Sequence, residues 1–188
     1  FFNGEVSRCA TAENAIRDSA KIKWTSGLLT RLENRNFLVV DDSRIVVSSY
    51  RPYLKQWLYF DGALVHRPGQ IPRIFPSAAA RNQVICVSAS GNVSGFSALM
   101  TSSIPDLQIA AMKGGSQCFP LWLYDAPVGQ GDDDDLFKPG GLQRRDAITD
   151  EGLAHFKTAY PSDIITKEDV FYYVYGLLHS QDYRERFA

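Results

Sequence analysis

The residues with the clearest chemical potential are a run of cationic side chains between positions 44 and 81. Six basic residues stand there against one acid, Asp61, and the stretch has a net charge of +5: Arg44, Arg51, Lys55, Arg67, Arg73 and Arg81. Residues 125–151 have the opposite balance, with eight acids, three basic residues and a net charge of −5. The net charge of −1 for the whole chain conceals this asymmetry. The positive stretch is suited to a polyanion, and the alternative is that two solvated faces simply differ in charge.

Signatures of catalysis are missing from the chain. It has no Gly-x-x-x-x-Gly-Lys-Ser/Thr phosphate loop, no Gly-x-Gly-x-x-Gly and no Gly-x-Ser-x-Gly, and the spacing of Gly91–Gly95 fits none of them. His66, His155 and His179 are too far apart to form a metal-ligand pair such as His-x-x-x-His. We therefore expect no catalytic residues in this chain, and a small enzyme with an unfamiliar site is the third and least favoured hypothesis.

Metal sites and disulfides are not expected either. Cys9, Cys86 and Cys118 are odd in number and widely spaced, which fits neither a disulfide framework nor a zinc site and favours a reducing cytosol. The consecutive carboxylates of Asp132–Asp135 cannot converge on one ion without bracketing ligands. No apolar run approaches the roughly 20 residues that cross a bilayer, so we expect no membrane contact.

The elements that must position the cationic residues are mostly strands. A hairpin is predicted from Phe37–Val40, a turn at Asp41–Ser43 and Ile45–Val47, because β-branched runs flank a turn-forming cluster. Further predicted strands and one loop follow: strands at 54–60, 83–88, 96–101, 107–112 and 119–124, and a loop around 68–72. Trp57, Tyr59, Phe119 and Trp122 alternate with apolar residues, so we expect them in the core.

Helices are predicted at the carboxyl end. Thr149 caps a helix that runs to about Ala159, and Thr166 with Asp169 forms a capping box for a second helix. A last helical turn is predicted over 181–187. An apolar stripe with helical spacing should face the core: Val170, Val174, Leu177 and Leu178. Tyr172, Tyr173 and Tyr175 are expected to pack the same helix.

The predicted fold is α+β, with a mixed, mostly antiparallel β-sheet followed by a C-terminal helical segment. We divide the chain into a helical lead-in (1–36), a β-rich core (37–125), a flexible Asp- and Gly-rich loop (126–147) and C-terminal helices (148–188). Because the chain begins without Met or a signal sequence, we expect it to start within a longer protein. The family resemblance described next implies in addition that the C-terminal helices (148–188) are truncated.

Several stretches resemble one family. They are Tyr50–Asp61 (YRPYLKQWLYFD), Pro72–Pro76 (PRIFP), Asn82–Val87 (NQVICV), Phe96–Thr101 with Ile104–Leu107, Gln117–Tyr124 (QCFPLWLY), Ile148–Leu153 and Glu168–Arg186, which includes the phrase YGLLHS. From about residue 20 to the end, the chain resembles the C-terminal specificity region of Type ISP restriction–modification enzymes and of relatives often labelled "predicted helicase".

This resemblance implies that the chain recognises a target sequence in double-stranded DNA. The parent polypeptide would contain a nuclease, a helicase-like ATPase and an adenine methyltransferase, which use Mg, ATP and S-adenosylmethionine, whereas this segment would need no cofactor. Its partners would be duplex DNA and the adjacent methyltransferase and helicase domains, in the bacterial cytoplasm. The alternative is a scaffold that docks those domains without reading DNA.

Candidate DNA contacts are cations for phosphates and planar side chains for base edges. They come from the basic stretch and from two small-residue segments, Ser90–Gly95 and Gly114–Ser116: Arg51, Lys55, Arg67, Arg73, Arg81, Asn92, Lys113 and Gln117. For Arg51 a structural ion pair is the alternative, and Arg67 and Arg73 could simply be exposed.

Overall fold

A computed structural model describes residues 1–65, 68–93, 95–125 and 142–187. Within these ranges two helices come first, most of the strands follow, and three helices come last. The elements are α1 (Phe2–Arg8), α2 (Ser26–Glu33), β1 (Ile45–Arg51), β2 (Leu54–Tyr59), α3 (Ile71–Ile74), β3 (Val84–Ser88), β4 (Ala98–Thr101), β5 (Ile104–Pro105), β6 (Ser116–Pro120), β7 (Trp122–Asp125), β8 (Gln143–Asp146), α4 (Asp150–Ala159), α5 (Lys167–His179) and α6 (Gln181–Phe187). The predicted fold class, α+β with helices last, is confirmed.

The chain forms two compact units. The first contains Phe1–Ile45 and Tyr59–Gly69, and the second contains Val46–Leu58 and Gln70–Ala188. In the first unit α1 and α2 enclose a small core of Phe2, Val6, Leu28 and Leu32. Burial of these apolar side chains stabilises a segment whose two helices, of 7 and 8 residues, are too short to be stable alone.

A buried carboxylate ties the first unit together. Glu5 accepts a 2.5 Å hydrogen bond from Arg8 and another from the Ile16 backbone amide at 2.8 Å. These hydrogen bonds, the Arg8 one foremost, lower the pKa of Glu5 to about 2. Glu5 thereby links α1 to the segment that lies between α1 and α2.

The second unit contains three small sheets. One has the strand order β2-β1-β5, one has the order β4-β3-β6, and β7 pairs with β8. The pairings of β3 with β4, β3 with β6, and β7 with β8 are antiparallel, whereas β1 and β5 are parallel. α5 covers the β3 sheet, because Phe171 packs with Ile85 and Leu121 in a buried cluster.

The C-terminal helices follow their capping signals. The Thr149 side chain accepts from the Gly152 amide at 3.1 Å and begins α4. Thr166 and Asp169 form both arms of the predicted capping box of α5. The helical stripe was predicted partly wrong: Val170 is buried and Leu178 packs on the core, but Val174 and Leu177 are exposed.

Several predicted strands differ from the structure. Residues 37–40 are irregular: Phe37, Val39 and Val40 are exposed, and Leu38 packs on the core of the first unit. The hairpin instead joins β1 to β2 through a turn at Pro52–Tyr53. Residues 107–112 form turns and no strand, and the segment around Pro72 forms the short helix α3. The predicted strand 119–124 is broken at Leu121 into the end of β6 and all of β7.

Two further findings concern the carboxyl half. The strand β8 lies in a segment where the sequence predicted only a loop, and its residues 143–146 pair with β7. Residues 126–141, which hold the Asp-rich tract, lie outside the described residues. Cys86 and Cys118 are register partners on β3 and β6 with their Sγ atoms 3.6 Å apart, although sequence spacing separated them. Both are free thiols, and the hydrogen bond to Cys118 together with burial raises the pKa of Cys86.

Candidate nucleic-acid interface

Two loops emerge at the same end of the β3 sheet. Ser88, the last residue of β3, is the register partner of Ser116, the first residue of β6. Because the two strands are antiparallel, the residues that follow β3 and those that precede β6 (112–115) are neighbours. We call this surface, residues 89–93, 95 and 112–117, the loop end.

Glycines let the two loops of the loop end pack backbone to backbone. The Ala89 amide donates to the Gly115 carbonyl at 3.2 Å. Gly114 and Gly115 have φ angles of +84° and +80°, which residues with a side chain rarely adopt. A Cβ atom on Gly114 would lie 3.8 Å from the Asn92 backbone nitrogen, an ordinary contact distance, so the two loops lie side by side.

The loop end brings together three of the sequence-predicted DNA contacts. Asn92 lies in the first loop, where its amide donates to the Gly95 carbonyl at 2.7 Å and supports the turn. Lys113 is exposed in the second loop, and Gln117 is exposed one residue into β6. Sequence analysis named these residues separately, and the antiparallel register of β3 and β6 makes them neighbours.

Exposed apolar side chains surround these polar groups. Val93 and Leu107 are each 72% exposed, and Met112 is 73% exposed. Leu107 lies against the loop end, since its carbonyl accepts from the Ser116 amide at 2.7 Å. We call Val93, Leu107 and Met112 the apolar rim. It was not predicted from the sequence, because Leu107 and Met112 belong to the segment predicted as a strand.

Arg51 approaches the loop end from β1. The Asp106 amide donates to Ser49 on β1 at 2.9 Å, which holds the segment 106–108 beside the end of that strand. Arg51 forms an ion pair with Asp106 at 2.5 Å, and its guanidinium lies 4.3 Å from the centroid of the Tyr50 ring. Arg51 thus makes the structural ion pair that the sequence left as an alternative, while 39% of its side chain stays exposed.

Lys55 lies on the hairpin that follows Arg51. The turn residue Tyr53 has a φ of +66° and is fully exposed, and Trp57 is 76% exposed. Lys55 and Trp57 are two residues apart on β2 and so share a face. The expected burial of Trp57 and Phe119 is wrong, because β2 and β6 are both outermost strands in the described part of their sheets.

Arg73 and Arg81 lie at the opposite end of the β3 sheet, where β3 begins. Buried Asn82 donates to the carbonyls of Ile74 and Trp122 at 2.9 and 2.8 Å and accepts from the Trp122 amide at 3.1 Å. These bonds tie α3, the start of β3 and β7 together. Arg73 forms an ion pair with Asp125, and Arg81 is exposed.

The basic stretch 44–81 is therefore divided among different places. Arg44 pairs with Asp41 and Asp61 within the first unit, and Arg67 lies outside the described residues. Arg51 lies near the loop end through its contact with Asp106, and Lys55 lies on the hairpin that follows Arg51. Arg73 and Arg81 lie at the opposite end of the β3 sheet. The basic residues of 44–81 are therefore close in sequence but do not form one surface in the described part of the chain.

The described ranges offer no obvious metal centre or membrane span. Among residues 1–65, 68–93, 95–125 and 142–187, no three His, Cys, Asp or Glu side chains come close enough together to hold a metal ion. In the same ranges no helix combines the length and apolar character needed to cross a bilayer.

Comparison with known proteins agrees with the sequence resemblance. A family profile described as the Type ISP C-terminal specificity domain matches residues 1–188, so the chain belongs to that family. No curated protein sequence matches the chain.

Solved structures with the same fold belong to longer chains. The chain is similar to part of DrdV, solved as a complex with DNA, with a TM-score of 0.82 and 30% identity over 99% of this chain and 17% of that one. It is also similar to part of LlaBIII, an ATP-dependent Type ISP restriction–modification enzyme bound to DNA, with a TM-score of 0.77 and 28% identity over 98% of this chain and 11% of that one.

A third solved relative is a nuclease-deletion mutant of the Type ISP enzyme LlaGI in complex with a DNA substrate mimic. Its TM-score is 0.72, with 25% identity over 99% of this chain and 13% of that one. This chain thus spans less than a fifth of the length of each of the three enzymes.

Proposed function

We propose that this chain recognises a specific sequence in double-stranded DNA on behalf of a larger restriction–modification enzyme. The observation that carries the proposal is the loop end, where the register of β3 and β6 brings Asn92, Lys113 and Gln117 onto neighbouring glycine-containing segments. It is supported by membership of a specificity-domain family and by solved relatives that are bound to DNA.

The chemistry of the loop end fits the reading of base pairs. A side-chain amide such as that of Gln117 can bind adenine through two hydrogen bonds, and a lysine can bind guanine or a phosphate. The apolar rim of Val93, Leu107 and Met112 suits contact with thymine methyl groups, which distinguish A·T from G·C pairs in the major groove. Glycines at positions 114 and 115 allow the backbone itself to come close to the groove.

The rest of the activity belongs to the parent protein in this proposal. The nuclease, the ATPase and the adenine methyltransferase, with Mg, ATP and S-adenosylmethionine, would be located elsewhere in the polypeptide. The parent would act in the bacterial cytoplasm, and its methyltransferase and helicase domains would adjoin this one.

A second candidate function is docking of those neighbouring domains without contact to bases. The observation that favours it is the β1–β2 hairpin, where Tyr53 and Trp57 expose aromatic surface that the second unit does not bury. Exposed apolar patches of this kind commonly mark interaction sites.

Selection from a random pool of duplexes tests the first candidate. The 188-residue chain is mixed with duplexes that carry a randomised central segment, and the bound fraction is recovered and sequenced. We expect one motif to be enriched, and we expect the double variant Lys113→Ala/Gln117→Ala to lose that enrichment at least tenfold, because each good base contact discriminates by about 1–3 kcal/mol.

The matched control is Lys157→Ala/Gln181→Ala, which removes the same residue types from exposed positions on α4 and α6. It should enrich the wild-type motif unchanged. Enrichment of the same motif to the same degree by both double variants would refute base reading by the loop end. A folded wild-type chain that enriches no motif would instead favour domain docking.

A further inference from the structure

Four arginines from three separate segments of the chain meet around the β7–β8 sheet. Arg73 and Arg81 belong to the basic stretch 44–81, whereas Arg144 and Arg145 belong to the acidic stretch 125–151. We call this surface the arginine face. It is distinct from the loop end, because it lies where β3 begins and the loop end lies where β3 ends.

The pairing of β8 with β7 builds the arginine face. Arg144 is the register partner of Tyr124, whose hydroxyl donates to the Arg81 carbonyl at 3.3 Å. The Arg144 guanidinium lies 4.5 Å from the centroid of the Trp122 ring, a cation–π distance. Two conformationally restricted strands therefore hold Arg144 next to the segment that carries Arg81.

Arg73 and Arg145 are joined by one shared carboxylate. Asp125 accepts hydrogen bonds from both guanidinium groups, one of them from Arg73 Nε at 3.1 Å. Partial burial opposes ionisation of Asp125, but the bonds from Arg73 and Arg145 hold its pKa below the ordinary aspartate value. The carboxylate is thus ionised at neutral pH and neutralises only one of the two cations.

The arginine face keeps an excess of positive charge. Among the residues that the structure describes, four guanidinium groups stand against Asp125, which leaves a local charge of +3. The nearby carboxylates of Asp146 and Asp150 are directed to Lys167, at 3.5 and 2.7 Å, so those three groups carry −1 together. The sum over all eight side chains is +2.

The arginines are accessible to a partner. Every residue of β8 is exposed, and 51% of the Arg145 side chain is accessible to solvent. Each guanidinium has five N–H donors, of which Asp125 can satisfy only some. Planar donors in excess over acceptors are suited to phosphate oxygens, which accept two parallel bonds from one arginine.

We propose that the arginine face grips the phosphate backbone of the same duplex whose bases the loop end reads. This inference rests on the proposed function. The five residues of β3 separate the two surfaces by roughly 16 Å, at about 3.3 Å per residue. That separation corresponds to about five base pairs, at roughly 3.4 Å per pair along one strand. A single duplex shorter than one helical turn is long enough to contact both surfaces.

Salt titration of DNA binding tests this inference. The affinity of the 188-residue chain for a mixed-sequence duplex is measured at several KCl concentrations, and the logarithm of the binding constant is plotted against the logarithm of the salt concentration. For Arg81→Gln/Arg144→Gln we expect a slope shallower by about 1.8, since each phosphate contact contributes about 0.9 through counterion release.

Two matched variants separate charge at this face from other effects. Lys157→Gln/Arg186→Gln removes two exposed cations from α4 and α6 and should retain the wild-type slope. Arg81→Lys/Arg144→Lys keeps both charges and should also retain it, whereas a role limited to stacking of Arg144 on Trp122 would not be rescued by lysine. Circular dichroism verifies that each variant is folded.

The outcome is distinguishable from that of the proposed function. Arg81→Gln/Arg144→Gln should still enrich the wild-type motif from the random pool, because phosphates carry no direct sequence information. A slope equal to that of the Lys157→Gln/Arg186→Gln control, or a changed motif, would overturn the backbone contact. A shallower slope without any enriched motif for the wild type would retain the arginine face and discard base reading.

Discussion

The loop end and the arginine face differ in how the chain assembles them. The loop end is formed by residues 89–93, 95 and 112–117, which follow and precede two strands paired directly with each other. The arginine face draws on residues between positions 73 and 145 and depends on α3, the β3 entrance and the β7–β8 pair. The loop end therefore depends on the register of two strands, whereas the arginine face depends on the arrangement of α3, the start of β3, β7 and β8.

The two surfaces also differ in chemistry. The loop end combines small backbone-rich turns, amide side chains and apolar side chains around a single lysine. The arginine face combines planar cations, aromatic rings and one shared carboxylate. In the proposed function the neutral groups of the loop end discriminate between bases, and the cations of the arginine face supply affinity that is independent of sequence.

Loss of the Asn82 side chain should break the arginine face and spare the loop end, and we expect this substitution to destabilise the protein most. Asn82→Ala leaves the buried carbonyl of Ile74 and the partly buried carbonyl of Trp122 without their donor. Each such group costs about 1–3 kcal/mol, so we expect the free energy of unfolding to fall by about 2–3 kcal/mol. Urea denaturation followed by circular dichroism measures this loss.

The same Asn82 variant should separate the two surfaces in DNA binding. At a temperature where it remains folded, the salt slope should become shallower because α3 and β7 are no longer held together. The enriched motif should persist. A lost motif with a normal salt slope would contradict this prediction, because it would mean that Asn82 supports the loop end and not the arginine face.

A side chain at Gly115 should do the opposite and break the loop end. Gly115→Ala forces a φ of +80° on alanine and brings its Cβ to 3.1 Å from the Leu107 side chain. We expect a stability loss of about 1–2 kcal/mol from the left-handed conformation, and loss of motif enrichment with an unchanged salt slope. Gly69→Ala is the control, since Gly69 has a φ of +58° with open space around it. If both variants enrich the motif equally, the close packing of the loops is not needed for reading.

Loss of the Asp125 carboxylate should change the salt slope through the arginine face alone, and by less than the substitutions above. Asp125→Asn frees Arg73 and Arg145 from their ion pairs, so the salt slope should become steeper while the motif stays the same. An unchanged slope would mean that those two arginines do not reach phosphate.

The pH dependence of stability checks the same residue. Because the folded-state pKa of Asp125 lies below its unfolded value, the carboxylate stabilises the fold fully above the unfolded pKa, and this contribution is lost as the pH falls through the folded pKa. Asp125→Asn should therefore have a shallower acid dependence of unfolding below about pH 4 than the wild type. Parallel acid curves for the two proteins would contradict this role.

Local signals in the sequence predicted much of the fold. Thr149 and Thr166 begin α4 and α5 as expected, because a cap is decided by hydrogen bonds within four residues. β3 lies where a β-branched run indicated it. Residues 37–40 and 107–112 have equally apolar patterns but form no strand, since a strand also needs a partner and its pairing is not a local property.

The candidate sites were predicted less completely. Asn92, Lys113 and Gln117 were named from the small residues beside them, and the structure brings them together at the loop end. Arg144 and Arg145 were missed, because they follow an acidic tract and their strand was predicted as loop. The exposure of Trp57 was missed because alternation along a strand does not reveal whether another layer covers it.

Motifs and interactions between near neighbours were enough to predict the family, the α+β class and the boundaries of the C-terminal helices. The folded structure, in contrast, sets which charges share a surface. It placed Arg51 beside Asp106 and joined Arg73 to Arg145 through Asp125, pairs separated by tens of residues. Electrostatic interaction falls with distance in space, and strand pairing sets that distance independently of position along the chain.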